Sequence, residues 1–185
     1  MASLPSPNRV TYEEWLRMPE VGDATEEVVN GEVRIMPPPK WRHSEIVDRL
    51  AARMWPHVDE REVKVKASQF GLIIRKSPLT SRVPDLAVFD VATMVEQDGY
   101  IHSAPQLVVE VLSPANSRRE REEKLGDYAG IGVPEVWVVS PEARTVEVLY
   151  LEDGRLRSAR ILREGLLVPR RFPAVQIDIA QIWPD

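Results

Sequence analysis

The apolar positions of this chain fall into three patterns, and each predicts a kind of element. Two short runs are apolar at nearly every position: the LAVF of PDLAVFD, and Leu107 to Leu112 in QLVVEVL. Runs of this kind read as strands buried on both faces. Other stretches alternate. From Arg61 to Lys66, Val63 and Val65 point one way and Lys64 and Lys66 the other, as in a half-exposed strand. Gln69 to Arg75, Glu135 to Val139, Thr145 to Leu151 and Arg157 to Leu162 also read as strands. The third pattern is helical: Ile46, Leu50 and Met54 recur at four-residue spacing with Val47 beside them, predicting a helix over 41–55 that Pro56 stops.

Local signals supply the boundaries. Thr11 with Glu14, and Ser117 with Glu120, are capping boxes. The first opens a short helix ended by Pro19. The second opens a helix through Ala129, closed by Gly130, Gly132 and Pro134. Asn30-Gly31 inside EEVVNGEVRIM predicts a type I′ hairpin, and Asp153-Gly154 a second hairpin. Ser77-Pro78 marks a loop, Asp98-Gly99 a turn, and QIDIAQIW a short terminal helix. The order helix, hairpin, helix, strands, helix, strands is that of a mixed α/β (α+β) domain around one central sheet. Residues 1–10 read as a loose tail and 11–185 as a single domain.

One residue breaks the apolar pattern. Glu110 sits in the middle of LVVEVL, where an unpaired carboxylate is costly and must be neutralised, hydrogen-bonded or bound to a cation. Strand alternation puts Val108, Glu110 and Leu112 on one face, and Asp85 on a face with Ala87 and Phe89. If the two strands pair, Asp85 and Glu110 together suit a divalent ion such as Mg²⁺ that takes one or two carboxylates plus water and phosphate oxygen. On the helix that follows, Leu125 and Tyr128 lie on the core-facing stripe, and Lys124 is about 40° from Tyr128. Lys124 can lean over the strand end, or it can stay at the surface beside Glu120. The alternatives for the acids are an ion pair of Glu110 with Arg82 or Arg118, and a turn cap for Asp85.

Composition narrows the chemistry. The chain has 185 residues, 43% hydrophobic and 29% charged, and no cysteine, which excludes disulfides, cysteine metal sites and a cysteine nucleophile. His57 and His102 have no partners at zinc-ligand spacing, and neither a phosphate-binding glycine loop nor a G-x-S-x-G elbow is present. The absence of a secretory signal and of a membrane-length apolar run makes a cytoplasmic location the expectation. The net charge is −5, yet cations cluster between Glu60 and Arg82 and six arginines fall between Arg155 and Arg171. Either cluster is a solvated face or a set of phosphate contacts.

The stretches VPDLAVFD and QLVVEVLSPANSRREREEKLGDYAGIGVPEVWVVSPEARTVEVLYL resemble the Uma family of restriction-endonuclease-type proteins, within the PD-(D/E)xK nuclease superfamily. The combination of E-V-L-S-P, K-x-x-x-Y and G-V-P-E-x-W carries the likeness, and EEVVNGEVRIMPPP followed by a helix with His43 extends it over most of the chain. The resemblance implies a nuclease fold with an αβββαβ core, Asp85 and Glu110 as ligands of Mg²⁺ or Mn²⁺, and DNA as substrate. It implies Glu27 as a further ligand. The superfamily expects a lysine two residues after the second acid, where this chain has Leu112; Lys124 is the replacement that the resemblance and the helix geometry share. His43 and Tyr128 are candidates for supporting these groups from behind, His43 alternatively being a helix cap. The expected activity is a metal-dependent DNA endonuclease; the alternative is a non-catalytic module of the same fold that binds nucleic acid or protein. A homodimer joined through strands past Glu135 is the expected assembly, although VPEVWVV and TVEVLYL would equally serve a core.

Overall fold

A computed structural model of the chain describes residues 9–19, 25–67, 70–113 and 117–184. Most of the expected tail, residues 1–8, lies outside these, as does Gln69. Val10 exchanges backbone hydrogen bonds with Gly31 and Leu79, at 3.0 and 2.9 Å.

In chain order the elements are α1 (Tyr12–Trp15), β1 (Thr25–Val29), β2 (Glu32–Met36), α2 (Trp41–Met54), β3 (Val63–Lys66), β4 (Leu72–Lys76), β5 (Leu79–Arg82) and β6 (Leu86–Asp90). They continue with β7 (Glu96–Gln97), β8 (Tyr100–Ile101), β9 (Leu107–Val111), α3 (Arg118–Gly130), β10 (Glu135–Ser140), β11 (Thr145–Glu152), β12 (Arg155–Leu162), β13 (Leu166–Leu167) and β14 (Ile177–Asp178). Both capping boxes form, at Thr11/Glu14 and Ser117/Glu120. Asn30 and Gly31 turn with φ of 53° and 82°, the double positive φ that a type I′ turn requires.

The principal sheet has the order β12-β11-β10-β9-β6-β3. Within it β9 and β10 run parallel, joined by the α3 crossover, and the other pairs are antiparallel. Followed along the chain, α2, β3, β6, β9, α3 and β10 make up the expected αβββαβ series. The faces divide as alternation predicts. Leu107, Val109 and Val111 pack with Ile46, Leu50 and Met54 of α2. Val108, Ala87 and Phe89 pack with Tyr128 of α3, and Leu112 joins them. Burying one such side chain contributes about 1.5–3 kcal/mol, so β9 is held from both sides. The strands once considered for a dimer interface, β10 and β11, supply Trp137, Val139, Val146 and Val148 to this chain's own core.

The expectation of one central sheet is corrected: a second six-stranded sheet, β2-β1-β5-β4-β8-β7, stands beside the first. It closes around β5, a strand that LTSR does not signal because polar residues occupy its buried positions. The predicted terminal helix is instead β14 followed by a short 3₁₀ turn at Ile179–Gln181. At the other end, the Tyr12 hydroxyl lies 3.2 Å from both Asp98 Oδ2 and His102 Nε2, fastening α1 to the β7–β8 hairpin.

Candidate active site at the junction of β6, β9 and α3

The antiparallel register of β6 and β9 pairs Leu86 with Val109 and Ala87 with Val108. One further step brings Asp85 level with Glu110. Asp85 sits just before β6, where its Oδ2 accepts the Val111 N–H at 2.7 Å and lies 3.1 Å from His43 Nε2. His43 comes from the first turn of α2, so the helix that packs one face of β9 also braces the acid at its end.

Helix α3 supplies the other side. Its capping box sets the start, and Lys124 and Tyr128, one turn apart, both reach Glu110. Lys124 Nζ donates to Glu110 Oε2 at 3.1 Å, and the Tyr128 hydroxyl donates to Glu110 Oε1. Glu120, the alternative partner for Lys124, closes the capping box with Ser117. The alternative partners for Glu110 are engaged elsewhere: Arg118 pairs with Glu122, and Arg82 with the acids described next.

Lys124 Nζ is also 3.0 Å from Glu27 Oε1. Glu27, on β1, is only 3% exposed, and both its oxygens are taken. Oε1 accepts from the Val83 N–H at 3.1 Å, and Oε2 accepts from Arg82 Nη1 at 3.0 Å. Its place is that of a counter-ion to Lys124 and Arg82. Arg82 is 2% exposed; its Nε donates to Asp127 Oδ2 at 2.7 Å, and its Nη2 stands 2.6 Å from the same oxygen. Asp127 is the site residue that sequence reasoning missed, and Arg82, an alternative partner for Glu110, pairs with Glu27 and Asp127 instead. One signal was present: Lys124, Asp127 and Tyr128 share one side of α3 by their spacing. Nothing local marked Arg82, because it ends the unsignalled strand β5.

Electrostatics follow from this crowding. Burial is the largest influence on Glu110, and with the charges of Asp85 and Glu27 it pushes the carboxyl from an ordinary 4.5 up to about 7, against the opposing pull of Lys124 and Tyr128. Burial would also raise Glu27, but Lys124 and Arg82 hold it below the ordinary range. Burial alone would lower Lys124; Glu110 and Glu27 raise it, so it keeps its charge at neutral pH. His43 is likewise raised, its burial outweighed by the hydrogen bond and charge of Asp85.

Among the described residues no group of three or more His, Cys, Asp or Glu is arranged to hold a metal by itself. The donor set here is two carboxylates, Asp85 and Glu110, beside a surplus of negative charge. Among the described residues, the lysine and arginine ion pairs of Glu27, Asp85, Glu110 and Asp127 are with Arg82 and Lys124. Hard oxygen donors in that number, with charge to spare, fit an ion of the Mg²⁺ type that draws its remaining ligands from water and phosphate. A cleft opens onto Glu27, Arg82, Glu110 and Lys124, and Arg34, Met36 and Leu112 are also in its lining.

A sheet clasped between α2 and α3, with paired acids where β6 and β9 meet, defines a mixed α/β fold of the restriction-endonuclease type. The chain belongs to the family described as "Uma2: Putative restriction endonuclease", whose model matches residues 12–180. Among solved structures, it is similar to a crystal structure from Anabaena variabilis described as a "putative nuclease belonging to DUF820". The TM-score is 0.76 at 21% identity, covering 94% of this chain and 97% of that one, a likeness of fold. No curated protein matches the chain.

Proposed function

We propose that the chain is a nuclease that hydrolyses phosphodiester bonds of DNA with the help of Mg²⁺ or Mn²⁺. The reading rests above all on one observation: a charged lysine, Lys124, reaches Glu110 at 3.1 Å from α3, where the chain has Leu112 in the expected lysine position. Asp85 and Glu110 would hold the ion. When bound, it would polarise a phosphoryl oxygen and lower the pKa of a water molecule. Lys124 orients the attacking water and stabilises charge that develops on the phosphoryl oxygens. Tyr128 fixes the rotamer of Glu110, and His43 that of Asp85. Glu27, itself fixed by Arg82, holds the lysine chain in place, so the ammonium is presented without reorganisation.

The alternative of a non-catalytic module predicts carboxylates locked into arginine pairs. Among the described residues Asp85 and Glu110 contact no arginine; Glu27 does. Assembly as a homodimer belongs to the proposal, with the exposed edge strand β12 available as a contact, and light scattering measures it.

The deciding experiment is nicking of supercoiled plasmid across a Mg²⁺ and Mn²⁺ titration, with wild type beside Asp85→Ala, Glu110→Ala and Lys124→Ala. Metal-dependent nicking lost in all three variants is expected. Pure protein that neither nicks DNA nor binds either ion at millimolar concentration overturns the reading.

A further inference from the structure

Trp41 is 82% exposed, whereas Trp137 and Trp183 are buried. A tryptophan so fully solvated gives up most of the hydrophobic stabilisation its ring could provide. Its surroundings are specific. Pro37, Pro38, Pro39, Lys40, Trp41 and Arg42 are all exposed and bridge two parts of the site. Before them, Arg34 and Met36 line the cleft of Glu110 and Lys124. After them, His43 meets Asp85. One residue, Arg42, separates Trp41 from His43, so their Cα atoms are at most about 7.6 Å apart. Three consecutive prolines fix φ along the approach, so the backbone that carries the ring has little entropy left to lose.

Charge indicates what the ring meets. Lys40 and Arg42 flank it, and neither has an acidic partner among the described residues. The first turn of α2 contains no acid, and Glu45 beyond it is committed to Arg49 at 2.6 Å. An exposed aromatic ring between two cations that have no acidic partner among the described residues, on the segment joining Met36 of the cleft to His43, matches a polyanion with exposed π faces. Bases inside a duplex stack on one another and offer no such face, whereas an unpaired base does.

We propose that Trp41 is the stacking platform for an unpaired nucleobase of the DNA strand held at the site, with Lys40 and Arg42 contacting the phosphates on either side. This rests on the nuclease reading and narrows its substrate to DNA with a single-stranded or unpaired nucleotide beside the scissile bond.

The test is fluorescence anisotropy with a labelled oligothymidine and with an abasic oligonucleotide of the same length, in EDTA so that both stay intact. Trp41→Ala is expected to weaken oligothymidine binding about 5- to 100-fold, the range that stacking on one aromatic ring supplies, and to leave abasic binding unchanged. Trp41→Phe keeps a ring, restores most of the difference and controls for loss of folding. Equal losses on both oligonucleotides, no loss on oligothymidine, or no oligothymidine binding by wild type each overturn the platform. So does a dimer that Trp41→Ala converts to monomer in light scattering, since the ring would then belong to a contact between copies. Plasmid nicking by wild type is scored separately. A protein that nicks but ignores Trp41 loses only the platform; one that stacks through Trp41 but never cleaves loses only the nuclease reading.

Discussion

Leu112 and Lys124 line the same cleft although the chain leaves β9 and enters α3 between them. The Leu112 N–H bonds to the Val139 carbonyl at 2.8 Å, which holds its backbone to the neighbouring strand. A lysine at either position would direct an ammonium to the same space. Lys124→Ala should therefore lower plasmid nicking about 10²- to 10³-fold, the usual effect of removing one charge-stabilising donor. The double variant Leu112→Lys, Lys124→Ala should recover part of that loss. Rates from the two proteins side by side decide it, and no recovery in a folded double variant removes the equivalence of the positions.

Arg82 is the centre of a buried ion network that includes Glu27 and Asp127. Arg82→Met leaves Asp127 without its cation and Glu27 with Lys124 alone. Breaking a buried pair on one side costs on the order of 3–5 kcal/mol. Urea denaturation should show a loss of that size. Adding Glu27→Gln and Asp127→Asn to Arg82→Met should return much of it, because the uncompensated charges disappear. A simple additive decline across the triple variant would contradict the charge argument.

Glu110 predicts a dependence on pH. Its carboxyl rises from an ordinary 4.5 to about 7 in the fold, so the folded state binds more protons than the unfolded state between those values. The contribution of this group is greatest below pH 4.5 and is lost as pH rises through about 7, an effect of at most about 3 kcal/mol. Glu27, lowered in the fold, acts in the opposite sense, its contribution being lost as pH falls. In EDTA, the difference in urea midpoint between pH 5 and pH 8 should shrink in Glu110→Gln. Mg²⁺ should raise the melting temperature of wild type more at pH 8 than at pH 5. An unchanged pH difference in the variant would show that Glu110 is not the group responsible.

Tyr128 is fully buried and spends its hydroxyl on Glu110. Tyr128→Phe keeps the ring's packing and removes only the donor. A hydrogen bond to a charged group is worth about 1.5–3 kcal/mol, so a modest loss of stability is expected at pH 8. The loss should be smaller at pH 5, where Glu110 is protonated. Equal losses at both values would separate the tyrosine from the carboxylate's charge.

Much of this arrangement is written locally. Alternation with a period of two assigns the faces of β9, since successive side chains must point to opposite sides. The two capping boxes and the Asn30-Gly31 turn act within four residues of themselves. Glu110 stands out because no neighbour in its apolar run could neutralise it, and Lys124 and Tyr128 meet it together because helix geometry aligns positions four apart.

Packing decided the rest. Arg82 is 55 residues from Glu27 and 45 from Asp127, and no local periodicity encodes which charges will meet across such distances. Strand β5 shows no alternation because polar residues fill its buried positions: Thr80 Oγ1 accepts from the Asn30 N–H, and Arg82 pairs with Glu27 and Asp127. Its burial emerges only once β1 and β4 close on either side. The same closure turns Glu27 from an open carboxylate on a hairpin into the counter-ion of Lys124. Patterns of a few residues therefore specify elements, faces and turns. Which buried charges neutralise one another depends on desolvation, and desolvation exists only after the sheets and helices have come together.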